Sequence, residues 1–598
     1  MLEKVAVVYL LPLVTCLLIL FIKGEKRITQ VSFVANLLVF MHTIFLIGYF
    51  VFAKQSFQEI HLGELAYERE HFEFDFLFDE LAVLFSFIIG FLSLVVIKFS
   101  SYYLHREIGF KRFFFTINLF IFGLYLLSMA GTLDLFFAGW EIVGLSSFLL
   151  IGFYHERTRP VRNAFRVFTI YRICDFGLLM SAILIHLYLK SYNHFYAMEH
   201  IESLPDLTLV KTILPLLLVF ASIGKSAQFP FVNWPARAME GPTPSSAIFY
   251  GGLSIHCGVV LLLRTYPLFE SNNIILGVIF TIGLLSFIYG RRIGKVQSNI
   301  KGQLAYSAVS QIGLMYIEIA LGLITLVYIH LFCHAILRCY QILVSPSIVA
   351  DYVFNQDQES ESIPLNRNLK LSTTFFSFGI QEGLISITER GFFPFPMIMI
   401  KIYFKKYWKY LVALPLFAYI LFYFVFTTRL VAFNYREFAA HIIGSLDLGL
   451  CLYCLISNDP PRKIWNIFFL SMISFISSNL IFSEHAGAGV LLYTLGAAPC
   501  WILGYVALRK IPPVPLYRYN GLYSQYTREY YLFLLAFIGL AGYPFTTIFW
   551  AEDVLFGELL TEAPLLLVFT ALSMVLNGFI GARLLVKIFW GFPSYTKV

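Results

Sequence analysis

Apolar runs of membrane length alternate with short polar breaks along nearly the whole chain. Runs of roughly 20 residues, enough for a helix to cross a bilayer, lie at 5–22, 31–53, 80–98, 113–131, 133–153, 164–189, 209–230, 243–266, 273–290, 303–320 and 322–345. A polar loop at 351–370 and an amphipathic stretch to about Phe404 follow, then runs at 408–433, 439–457, 463–482, 486–508, 530–549 and 564–590. The pattern predicts an all-α polytopic membrane protein with about 17 transmembrane helices and no soluble domain. One segment reads differently. Residues 55–79 hold Glu59, Glu64, Glu68, Glu70, Glu73, Asp75 and Asp79, and Phe72, Phe74, Phe76 and Phe78 alternate with polar neighbours, which predicts an extended, acidic external segment.

Composition agrees with the pattern. Of 598 residues, 59% are hydrophobic, 18% aromatic and only 13% charged, which excludes a soluble globular protein. No cleavable signal or Arg/Ser-rich transit peptide precedes the first run, so the chain is expected to be inserted where it is made. Abundant Phe and Tyr suit an AT-biased, organelle-encoded gene. The net charge of +7 resides in loops and implies no nucleic acid. Lys and Arg concentrate after odd-numbered spans (Lys23, Lys26, Arg27; Lys98, Arg106, Lys111, Arg112; Arg157, Arg159, Arg162; Arg237; Arg291, Arg292, Lys295, Lys301), while Lys54, Arg69, Lys190, Lys211 and Arg264 lie on the other side. The positive-inside rule then sets the basic loops toward the compartment of synthesis and the N-terminus opposite. The eight cysteines form no disulfide framework, and Cys451-x-x-Cys454 on a membrane helix reads as ordinary buried cysteine.

The chemistry centres on residues 224–247, Gly-Lys-Ser-Ala-Gln-Phe-Pro-Phe-Val-Asn-Trp-Pro-Ala-Arg-Ala-Met-Glu-Gly-Pro-Thr-Pro-Ser-Ser-Ala. Lys225 ends an apolar run, where a membrane-buried charge costs roughly 2.5–3.5 kcal/mol. Pro230 removes the amide proton that the Ser226 carbonyl would receive, so the helix is expected to loosen one turn beyond the lysine. A buried lysine beside a broken helix fits an ion or proton site; a lysine snorkelling from a helix end is the alternative. Gly224-Lys225-Ser226-Ala227-Gln228 and Met239-Glu240-Gly241-Pro242-Thr243-Pro244 resemble the antiporter-like membrane subunits of respiratory complex I, specifically the mitochondrial NADH dehydrogenase subunit 5 family.

Within that resemblance Glu141, in Gly139-Trp140-Glu141, and Lys225 match the family's proton-linked pair; a static salt bridge is the alternative. At about 4 Å and an effective dielectric near 20 such a pair gains roughly 4 kcal/mol, so small movements would hold or release a proton. Arg172 and Asp175, at i and i+3, can neutralise one another, whereas the resemblance makes Asp175 part of the relay. His330, His334 and Arg338 recur every four residues on one stripe; two histidines so spaced can bind zinc, but no nearby acid completes a metal site. His330-x-x-x-His334-Ala-x-x-Arg338 resembles a family motif that ends in a proton-carrying lysine, and arginine keeps its proton. Tyr250 stands where the family has a relay histidine, and its hydroxyl would order water. His256, six residues on, falls some 240° round an ideal helix. Leu540-Ala-Gly-Tyr-Pro-Phe545 and Phe549-Trp-Ala-Glu552-Asp553 resemble the family's twelfth helix, with Glu552 in place of its terminal lysine; Arg390 to Pro394 with Lys401 is a weaker match.

The expected organisation is two spans and the acidic loop at 1–79, an antiporter-like core at 80–345, an insertion with about four further spans at 346–510, and a second broken helix with a closing span at 511–598. The resemblance implies inverted repeats with a broken helix in each, and a closing lateral helix that this chain lacks and another subunit supplies. It also implies a proton-translocating membrane-arm subunit of complex I in the mitochondrial inner membrane, in contact with other membrane-arm subunits and lipid. NADH, FMN, iron-sulfur clusters and ubiquinone would belong to partner subunits, with no cofactor in this chain. The alternatives are a non-pumping scaffold and a cation/proton antiporter subunit.

Overall fold

The structure is a computed structural model that describes residues 7–53, 58–67, 70–189, 194, 195, 198, 208–297, 299–345, 435–482, 487–544, 546–562 and 564–592. Twelve helices among the described residues are long and apolar enough to cross a membrane, so the chain is an integral multi-pass membrane protein. The expected polar loop at 351–370, the amphipathic stretch and the run at 408–433 lie outside the described residues, as does the side chain of Asp553.

The chain divides into two compact units, one of residues 1–154 and 166–377, the other of 155–165 and 378–598. In the first, α1 (Leu11–Phe21) and α2 (Glu25–Ala53) lead into a hairpin of β1 (Gln58–Tyr67) and β2 (Glu70–Phe78). The strands pair antiparallel with a register shift between His61 and Glu64. The segment is extended as expected, and at the end of β2 Asp75, Phe76, Leu77 and Phe78 are all buried, polar and apolar alike. The reason is that β2 lies across a helix end: the Gly131 amide donates to the Asp75 carbonyl at 2.7 Å and Phe76 bridges Ala130.

Four long helices follow: α3 (Glu80–Tyr103), α4 (Phe110–Met129), α5 (Leu133–Ile151) and α6 (Thr158–Leu189). Asp79 caps α3 by accepting the Ala82 amide at 2.8 Å, and Thr132 caps α5 by accepting that of Leu135 at 3.3 Å. Helix α5 is buried on nearly every side, as expected of the central helix of a bundle whose residues are apolar all round.

Helix α7 (Thr208–Lys225) ends on the lysine itself, and α8 (Trp234–Ala238) follows the break. The next span is not one regular helix. It runs as α9 (Thr243–Ser246), a π turn (Ala247–Gly252), a 3-10 turn (Ser254–His256) and α10 (Cys257–Arg264). Three further helices are described in this unit: α11 (Asn273–Gly294), α12 (Ile300–Ala320) and α13 (Ile324–Val344).

The second unit holds α14 (Tyr435–Ile456), α15 (Pro461–Phe482), α16 (Gly487–Lys510), α17 (Thr527–Leu540), α18 (Thr547–Glu562) and α19 (Pro564–Phe589). Residues 155–165 cluster with it: the Gly591 amide donates to the His155 carbonyl at 2.7 Å, and the His155 ring meets Tyr523 at 4.1 Å.

Candidate proton-transfer site

The broken helix follows from its sequence. Pro230 has no amide proton to give the Ser226 carbonyl, and the side-chain amide of Gln228 donates to that carbonyl at 2.8 Å instead. Ala227 adopts φ +53°, the left-handed region, so the chain turns away directly after Lys225. Glycines let the neighbours close in. A side chain on Gly258 would strike the Ser222 carbonyl and the Ser226 hydroxyl, and one on Gly224 would strike Cys174.

Lys225 is 1% exposed. Its ammonium donates to the Trp140 carbonyl and lies 4.1 Å from the centre of the Trp140 ring and 5.5 Å from that of Tyr171. A carbonyl acceptor and two ring faces together offset much of what burial costs a cation. A methyl on Gly144, one turn beyond Trp140, would make ordinary van der Waals contact with the ammonium at 3.8 Å.

The carboxylates are partnered otherwise than expected. Glu141 takes the Arg172 guanidinium at 2.8 Å, not Lys225, and Asp175 accepts the indole N–H of Trp140, not Arg172. Glu141 and Trp140 are adjacent on α5 and so point about 100° apart, one toward Arg172 and the other toward Asp175 and Lys225. Both carboxylates still act electrostatically on the lysine. Trp140 thus joins Asp175 to Lys225, a role that residue type and spacing did not disclose.

Beyond the lysine lie three buried hydroxyls, those of Tyr171, Tyr250 and Ser254, without a bonded partner of ordinary geometry among the described residues. The rings of Tyr171 and Tyr250 both meet Trp234 edge-on at 5.3 Å. His256 then enters the site, against the ideal-helix expectation. The π turn and the 3-10 turn before it break the 100° phase, and its Nε2 lies 2.9 Å from His334 Nδ1.

His334 and His330 stack along α13 as expected, with ring centres 6.1 Å apart. An acid does stand nearby, supplied across α12: His330 Nδ1 lies 2.9 Å from Glu318, and its Nε2 3.0 Å from Gln311. No group of three or more His, Cys, Asp or Glu side chains among the described residues is arranged to hold a metal ion. Arg338 donates to Gln341 and Ser307 at 2.9 Å each.

Glu552 belongs to the second unit, on α18. Its carboxylate fits against Gly542, whose φ of +64° and missing side chain make the room.

Known proteins resemble this chain in sequence and in fold. Residues 130–420 match the family described as NADH:quinone oxidoreductase/Mrp antiporter, TM, and residues 66–114 match NADH-Ubiquinone oxidoreductase (complex I), chain 5 N-terminus. Every site residue from Glu141 to Arg338 falls inside the first match; Glu552 and Asp553 fall outside it. NADH-quinone oxidoreductase subunit L of Buchnera aphidicola subsp. Baizongia pistaciae is 30% identical over 424 residues, 68% of this chain and 67% of that one. NADH-ubiquinone oxidoreductase chain 5 of Mus musculus is 31% identical over 280 residues, 47% of this chain and 45% of that one. Apart from the first of these, the chain spans less than two thirds of the curated relatives it matches, down to 42%. The Mrp complex from Dietzia sp. DQ12-45-1b shares the fold, with a TM-score of 0.50, 18% identity, and coverage of 80% of this chain and 45% of that one. The 30% identity across two thirds of the Buchnera chain, together with the two family matches, shows that the chain belongs to the antiporter-like family of complex I chain 5 and bacterial subunit L.

Proposed function

We propose that the chain is a proton-translocating membrane-arm subunit of mitochondrial NADH:ubiquinone oxidoreductase, and that quinone reduction elsewhere in the complex drives proton transfer through it. NADH, flavin, iron-sulfur clusters and quinone belong to its partner subunits in this reading, and the inner mitochondrial membrane is its location. The observation that carries the reading is the Lys225 ammonium, buried at the end of a broken helix between the Trp140 carbonyl and the Tyr171 ring.

The chain's own groups suggest the order of events. In the resting arrangement the lysine is held by Trp140, whose indole is itself anchored on Asp175. Because α7 stops at Lys225, a small shift of the break carries the ammonium from the carbonyl toward the hydroxyls of Tyr171 and Ser254. Hydroxyls both donate and accept, so they pass a proton on without being ionised at rest. His256, bonded to His334, receives it, and His330 with Glu318 continues the row. Arg338 keeps its proton and orients its neighbours. Tyr250, at the position of the family's relay histidine, lies beside this route, while His256 serves as the imidazole.

Replacing Lys225 with Met in the native complex tests the proposal. Assembly with fewer protons moved per NADH oxidised is the expected result, and an unchanged ratio would overturn it.

A further inference from the structure

The first two helices carry an open crevice that the route above does not touch. Gly24, at φ +95°, turns the chain sharply, so α2 returns alongside α1. Each helix buries one face in the unit, through Cys16 and Ile19 on α1 and Ser32 and Val39 on α2. Between their other faces, where Leu18 is 47% and Val34 52% exposed, lies a cavity of about 330 Å³, lined by α1 from Leu11 to Leu18 and by α2 from Gln30 to Leu38. Its one hydroxyl, that of Thr15, donates to the Leu11 carbonyl at 2.8 Å, so the wall beyond Gln30 offers only apolar surface. At one end it meets a second cavity of about 470 Å³, which shares Gln30 and Val31 and is lined further by Phe21, Ile22, Lys23 and Arg27.

This end is positively charged and uncompensated. Lys23 and Arg27 are exposed, and neither has a bonded partner among the described residues. The acid between them in sequence, Glu25, is engaged elsewhere: it takes the His105 ring nitrogen at 2.8 Å and the Arg106 amide at 3.1 Å. Lys111, on α4, adds a third cation at this end, its ammonium donating to the Leu20 carbonyl at 2.7 Å. From Arg27 to Leu38 the helix rises about 16 Å at about 1.5 Å per residue, the depth of one leaflet of a hydrocarbon core roughly 30 Å thick. Cations at the polar end of an apolar crevice one leaflet deep match a phosphate with acyl chains beneath it, and basic clefts between membrane helices hold anionic head groups. Gln30, at the junction, can donate to or accept from the groups that join the two. A zwitterionic lipid brings its own cation to Lys23 and Arg27 and gains less from them.

We infer that the crevice between α1 and α2 is a binding site for an anionic phospholipid, with its phosphate at Lys23 and Arg27 and an acyl chain along Val31 to Leu38. With the basic loops facing the compartment of synthesis, the lipid belongs to that leaflet. The site stands whether or not the chain moves protons, since it shares no residue with the route.

The test uses the purified native complex with two photoactivatable lipids that carry the same diazirine-bearing chains, a phosphatidylglycerol and a phosphatidylcholine, and reads the label on peptides spanning residues 11–38. Phosphatidylglycerol is expected to label them about tenfold more than phosphatidylcholine. The preference is expected to shrink as salt screens the cations and to vanish in Lys23→Gln/Arg27→Gln, which changes two exposed side chains and no described contact. Equal labelling by the two lipids in the wild-type complex overturns the site, as does a preference that survives the double variant. Labelling by neither lipid would mean that another subunit covers the crevice, and overturns it too.

Discussion

At the scale of residues, the site is a set of substituted partners around Trp140. Glu141 and Arg172 form a buried ion pair at 2.8 Å, with both side chains at most 9% exposed. Removing one member of such a pair leaves a buried charge uncompensated and costs about 3–5 kcal/mol, whereas removing both costs far less. Arg172→Met is therefore expected to destabilise the chain more than the double variant Glu141→Gln/Arg172→Met, and thermal melting of the purified complex compares the two. An equal or larger loss in the double variant would mean that the pair is not the unit. Sequence made these residues visible and mispaired them. Glu141, Asp175 and Lys225 stand out because charges inside apolar runs are rare, but which carboxylate meets which cation depends on the rotation of three helices. Trp140 does not stand out in the sequence, because one tryptophan among many aromatics carries no signal of its own.

At the scale of elements, the break after Lys225 and the irregular span from Thr243 to Arg264 do the positioning. The first was legible, since Pro230 names the carbonyl it orphans, and the Gln228 amide found on that carbonyl confirms the accounting. The second was not, because a fixed 100° per residue turned His256 away from the row that the π turn brings it into. Helix approach here depends on Gly258, where a methyl would meet the Ser222 carbonyl and the Ser226 hydroxyl. Neither backbone nor a hydroxyl bonded to the Ile255 carbonyl at 2.7 Å can retreat cheaply. Gly258→Ala is expected to cost about 1–3 kcal/mol through overpacking and to lower proton transfer by displacing the break. Assembly and a proton ratio equal to wild type would show that the approach is looser than the structure has it.

At the scale of the molecule, the pattern of apolar runs announced a polytopic helical membrane protein, and the ends of most described helices lie within a few residues of the expected ones. Less legible was what the runs after residue 435 contribute. Cys451 lies inside a run expected at 439–457, yet nothing local says that serines from two other helices will close around its thiol. Such clusters are tertiary, and periodicity reports only which face of one helix is polar. The central claim is that Lys225 carries a proton rather than merely a charge. Lys225→Arg separates the two, because arginine keeps the cation for the Trp140 carbonyl and ring but does not release its proton. Measured as protons moved per NADH oxidised in sealed vesicles, Lys225→Arg is expected to fall to the same lowered ratio as Lys225→Met; a wild-type ratio in Lys225→Arg would mean that the residue supplies only its charge.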